Sequence, residues 1–115
     1  MYKFGYNLEK IVHRMDEVKL VPKSSLKPGD IVYIKTLNST YTIRKTEHEL
    51  YEVSGGWFDR QGISPAIMSI RGCTWGGSVI NIGIVAACGL YIEFGNNLIT
   101  SPIRQIIILR SNQRN

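Results

Sequence analysis

The feature that most restricts this chain is the alternation in its second half. Ile80, Ile82 and Ile84, then Leu90, Ile92 and Phe94, set an apolar side chain at every second position. A period of two puts such residues on one face of a β-strand, whereas a helix would scatter them around its circumference. Ala86, Ala87, Cys88 and Gly89 predict a turn or tight bend between the two runs, and Gly95, Asn96 and Asn97 a turn after the second, because Gly and Asn tolerate positive φ.

Upstream, Lys27, Pro28, Gly29 and Asp30 read as a type II turn, with proline fixing φ at its second position and glycine supplying positive φ at its third. The apolar run Ile31, Val32, Tyr33 and Ile34 then reads as a strand. Leu37, Asn38 and Ser39 join it to an alternating strand around Tyr41 and Ile43, forming a hairpin. A turn at Glu47, His48 and Glu49 leads into residues 50–53, and Gly55 and Gly56 break the chain. Residues 57–65 read as a loop with aromatic anchors, residues 67–73 as a strand, and Gly76 with Gly77 as a sharp bend. The last run, 103–110, is apolar on both faces and predicts a strand buried on both sides, under the N-terminal helix.

That helix is expected over residues 8–17. Leu8, Ile11, Val12 and Met15 fall at i, i+3, i+4 and i+7, Asn7 is a good N-cap, and Glu9 suits the first turn. Lys10, His13, Arg14 and Glu17 take its polar side. About seven strands with turns between them predict a mainly β fold: a small barrel or two-sheet sandwich with one short N-terminal helix, in a single domain over 1–115. The lead-in at Leu26 resembles the entrance to the first strand of SH3-like barrels, and the glycines suit a closing sheet, which favours the barrel.

Composition excludes several classes. With 43% hydrophobic and 20% charged residues the chain is not of the disordered type. Cys73 and Cys88 are too few for a disulfide framework and lack zinc-site spacing, so both read as buried free thiols. No spanning helix is predicted, because Asn81 and two glycines interrupt the apolar stretch 79–92. No leader is visible in residues 1–6, and the expectation is a cytoplasmic protein without a membrane partner. The net charge is +5, and beyond residue 60 four arginines face one carboxylate, Glu93. Arg71, Arg104 and Arg110 are therefore candidate nucleic-acid contacts, although they are spread along the chain.

Three polar segments stand out: Thr36-x-Asn38-Ser39-x-Tyr41, Gly72-x-Thr74-Trp75-Gly76-Gly77-Ser78, and Thr100-Ser101-Pro102-Ile103. Taken in order, they resemble a family of small uncharacterised bacterial β-rich proteins, a likeness that runs from Leu26 to Leu109. The resemblance implies that the segments form one constellation. It names no activity, cofactor or substrate. If they converge, Asn38, Ser39, Tyr41, Trp75, Ser78, Thr100 and Ser101 surround a ligand site; alternatively they are mutual hydrogen-bond staples. The glycine-rich stretch lacks the Gly-Lys-Ser/Thr ending of a phosphate loop and the dinucleotide fingerprint.

Catalysis has little to stand on. His13 and His48 are both expected in solvent, no catalytic residue is assigned, and no metal or cofactor is expected. The leading reading is a non-catalytic binding or interaction module for a partner protein or small ligand. One alternative is an RNA-binding or ribosome-associated small β-barrel, with Trp57, Phe58 and Trp75 as candidate exposed aromatics. Another is a hydrolase or transferase using the Ser/Thr/Tyr cluster. A homo-oligomer is also open, because an uncovered final strand would pair with a second copy.

Overall fold

The structure, a computed structural model, describes residues 15–76 and 79–111. Eleven strands follow one another as β1 (Met15–Val18), β2 (Leu20–Pro22), β3 (Ile31–Thr36), β4 (Thr40–Lys45), β5 (Tyr51–Gly55), β6 (Ala66–Met68), β7 (Ile70–Thr74), β8 (Ile80–Asn81), β9 (Ile84–Ala87), β10 (Tyr91–Phe94) and β11 (Ile103–Leu109). A five-residue helix, α1 (Gly56–Arg60), follows β5, and a 3-10 turn spans Lys23–Ser25. The strands form three sheets: six strands in the order β1-β11-β3-β4-β5-β6, three in the order β10-β7-β8, and the pair β2-β9.

Among the described residues the fold is mainly β with one short helix, and no sheet closes into a barrel. Strands β1 and β6 remain as the edges of the large sheet, which corrects the barrel expectation. The physical reason lies at Ser69. Residues 67–73 read as one strand, yet the chain pairs with β5 only through β6 and then passes to the second sheet as β7. Handing the chain between sheets at that point leaves β6 unpaired on its outer side.

The expected N-terminal helix is corrected at its last residues. Residues 8–14 lie outside the described residues, and Met15, Asp16 and Glu17 are in β1, paired with Leu109, Ile108 and Ile107. Ladder hydrogen bonds to an already formed strand outweigh the preference of a short, weakly nucleated helix. Among the described residues the one short helix sits within the segment read as a loop, where Gly55 and Gly56 adopt φ of 98° and 45° and swing the chain off β5.

That swing delivers Phe58 to the core. Its ring meets Tyr41 of β4 edge-on at 6.2 Å and Phe94 of β10 at 5.2 Å, and Trp57 leans on it at 5.3 Å. Such pairs contribute about 0.5–1.5 kcal/mol each beyond their burial. They join the large sheet, α1 and the second sheet around one core, which continues through Val32, Ile34, Ile43, Val53, Ile106 and Ile108 to Val85 and Ile92.

Other expectations hold in outline. The turn at Pro28 and Gly29 forms, with Gly29 at φ 94° and the Asp30 N–H donating to Lys27 O at 2.9 Å. The hairpin β3–β4 forms in register, with Ile34 opposite Tyr41. Leu90, Ile92 and Phe94 share the core. Ile82, however, lies in the turn between β8 and β9 and is exposed, while Ala86 and Ala87, read as a bend, are buried in β9 against β2. The tail beyond Ser111 lies outside the described residues.

A Cβ at Gly55 would stand 2.2 Å from Thr40 O in a positive-φ backbone, whereas at Gly62, also at positive φ, it would meet nothing within 4 Å. Gly62→Ala should therefore lower the urea-unfolding free energy by only the backbone penalty, about 1–2 kcal/mol. Gly55→Ala should lower it by at least about 3 kcal/mol, because sheet backbone must also move. Equal losses in the two variants would show that the Gly55–Thr40 approach is unimportant.

Candidate functional site

Two of the three polar segments meet. The β3–β4 hairpin turn brings Thr36, Asn38 and Ser39 beside the segment that enters β11. Thr36 Oγ1 donates to Ser39 O and accepts from the Ser39 N–H, both at 3.0 Å. Ser101 Oγ donates to Thr36 Oγ1 at 2.8 Å and accepts from the Asn38 N–H at 3.0 Å. The Leu37 N–H closes the junction onto Pro102 O at 2.9 Å. Thr100 extends it inward, with Oγ1 donating to Ser101 O at 2.8 Å and accepting from the Ile92 N–H of β10 at 3.1 Å.

The donor and acceptor count of this junction decides its chemistry. A hydroxyl has one proton to give and two lone pairs. Thr36 uses all three, and Ser101 keeps a single acceptor position. The network ties a hairpin turn to two other strands, and its hydroxyls are committed to backbone rather than held before a base. Only Ser39 turns outward, its Oγ accepting from Arg60 Nη1 at a long 3.5 Å.

The remaining candidates lie apart. Tyr41 is buried among Phe58 and Phe94, and its hydroxyl meets the Trp57 N–H at 3.5 Å. Trp75 follows the end of β7 and is 62% exposed, the one exposed aromatic side chain among the described residues. Ser78 lies outside the described residues, as does His13. His48 is in an exposed turn, as expected. Cys73 is buried and donates to Val85 O at 3.4 Å, and burial pushes its thiol up to about 11. Cys88 is half-buried and free.

The three arginines do not converge. Arg71 is paired with Glu93 across β7 and β10 at 3.2 Å. Arg110 donates to Asp30 Oδ2 at 3.0 Å and to Ser25 O at 2.6 Å. Arg104 is exposed and lines a shallow cleft of about 400 Å³ with Glu17, Lys35, Thr36, Leu37 and Gln105. A bulge in β11 between Ile103 and Gln105 turns Arg104 into that cleft's wall.

Asp30 was missed. Only 1% exposed, its carboxylate accepts from the Lys27 N–H at 2.9 Å, the Ser111 N–H at 2.7 Å and Arg110. Burial alone would raise its pKa, but the two backbone donors and the Arg110 guanidinium outweigh it and hold the carboxyl below its ordinary range. The turn position after Pro28-Gly29 was the visible signal for a side chain that folds back onto backbone. A cleft of about 380 Å³, lined by Ser25, Lys27, Asp30, Arg110 and Ser111, opens here, but the carboxylate's partners already belong to the fold.

Among the described residues, no cluster of three His, Cys, Asp or Glu side chains could hold a metal ion, and no helix is long and apolar enough to cross a membrane. Comparison with protein-family models, curated proteins and solved structures returned no match.

The Asp30 clasp has a pH signature. Because its folded pKa is depressed, its contribution is full above the unfolded value of about 4 and is lost as pH falls through the lower folded value. Asp30→Asn should cost about 1.5–3 kcal/mol at pH 7 by urea unfolding and flatten the acid limb of the stability profile. A variant as acid-sensitive as the parent would exclude Asp30 as the source.

Proposed function

We propose that the protein is a non-catalytic binding module that engages a partner through the end of the β7–β8 hairpin. The observation that carries this reading is the exposure of Trp75, at 62%, together with Val79 at 65%. Trp75 and Val79 lie one step beyond the Thr74–Ile80 pair, and the Tyr91 ring lies 3.4 Å from where a Gly76 side chain would begin. Tryptophan is enriched among residues that dominate binding energy, because it offers a large rigid surface at low entropic cost. The committed hydroxyls of Thr36 and Ser101 argue against the hydrolase or transferase alternative.

A photoreactive residue placed at position 75 should yield one discrete cross-linked adduct in cells, and Val79→Asp should abolish it. The same probe at the exposed Leu37 should not yield that adduct. Adducts equal at both positions, or none at position 75, would remove the reading.

A second reading, an RNA-binding domain, draws on Lys35 and Arg104, which share one cleft and form no ion pair among the described residues. Two phosphate contacts to a single strand predict a slope of about −1.4 for log K against log salt, and Lys35→Ala should reduce it by about 0.7. A flat salt response in a titration with short mixed RNAs would exclude it.

A further inference from the structure

The two edges of the large sheet differ in character. β1 exposes Asp16 and Glu17, and charges of this kind keep an edge strand from pairing with another chain. β6 has no such guard: it reads Ala66-Ile67-Met68, and from Gln61 to Ile70 no side chain is charged. Among the described residues β5 is the one strand paired with β6, and no other backbone group bonds its three residues. Both faces of the strand are also unfinished. Ala66 and Met68 lie half-buried against the core cluster, whereas Ile67, opposite Glu52 on the other face, is 57% exposed. Ile63, just before the strand, is a further exposed apolar side chain.

We propose that β6 pairs antiparallel with β6 of a second copy, about a two-fold axis at Ile67, so that two large sheets join edge to edge. The strand is complementary to itself in that register. Ile67 meets its own counterpart, and on the core side the small Ala66 faces the partner subunit's Met68, an arrangement the symmetry repeats and that closes the open flank of each core. The outward N–H and C=O groups of β6 gain ladder partners as well. Charge permits the approach: with strands about 4.8 Å apart, the two Glu52 carboxylates stand about 14 Å from each other across the joint, beyond the screening length of about 8 Å at physiological salt. Arg44 also neutralises each of them at 2.8 Å. An edge that pairs with itself closes at two copies, whereas β1 set on β6 would continue as a filament and would bring the acidic edge into the joint. The final strand, the edge expected to self-pair, is β11, which lies between β1 and β3 and has no free side. Pro65 has no N–H with which to lengthen the ladder, so the contact is small and the dimer weak. It uses none of the residues of the Trp75 surface and does not depend on that reading.

The test is sedimentation velocity with amide spectra of the full chain at about 20 μM and about 1 mM, a span that brackets weak association. A shift from monomer toward dimer is expected, with the concentration-dependent amide changes centred on Ala66, Ile67 and Met68. Isotope-filtered spectra of labelled and unlabelled protein mixed at the higher concentration should show contacts between Ile67 methyl groups of different molecules. Ile67→Lys, a change at an exposed position that leaves the fold intact, should weaken association at least about tenfold by setting like charges opposite each other. A monomer at both concentrations, a dimer whose amide changes lie elsewhere, or one that Ile67→Lys leaves unaltered would each overturn the proposal.

Discussion

The antiparallel pairing of β11 with β3 is the constraint on which the architecture depends. It brings the last strand against the first long one, with Ile106 opposite Ile34 and Ile108 opposite Val32. Everything else is hung from that seam: β1 adds to its outer side, the β3–β4–β5 meander extends from the other, and the core forms on its inner face. Because the partners are distant in sequence, loop closure must precede the reward of pairing. Two polar devices fasten the ends of the seam. The Asp30 carboxylate binds Arg110 and Ser111 at one end, and Thr36 with Ser101 locks the other. Both use groups whose hydrogen-bonding capacity is largely spent inside the fold, so they hold the frame and leave little for chemistry.

Legibility in the sequence followed the range of the cause. The turn at Pro28-Gly29, the β3–β4 hairpin and the bend at Asn97 were readable because each is dictated by a few adjacent residues. Met15 and Glu17 were misread as helical because their strand state is set by Ile107 and Leu109, at the far end of the chain. The division at Ser69 and the open edge at β6 were hidden for the same reason: nothing local in the run from Ile67 to Cys73 says that its halves pair in different sheets. Ile82 kept the alternation of its neighbours while standing in a turn, so periodicity assigned it to a buried face that it does not reach.

For the site, the meeting of the Thr36 and Thr100 segments was legible as a grouping, although Tyr41 sits in the core and Trp75 stands outside the hydrogen-bond network. The three arginines were misgrouped by composition. Charge counts do not reveal that Glu93 and Asp30 each hold one of them. Asp30 itself was invisible as a buried carboxylate, because its solvation is replaced in large part by Arg110 and Ser111, some eighty residues away in the chain.

The environment of Cys73 gives the molecule an internal clock. Its thiol is sealed in the core, bonded to a carbonyl of β9, and held in the protonated, unreactive form. Thiolate is the species that alkylating reagents attack. Modification of this sulfur therefore proceeds through molecules in which the β7–β9 region has parted. The labelling rate counts those openings, while the half-buried Cys88 reports on the surface beside β11.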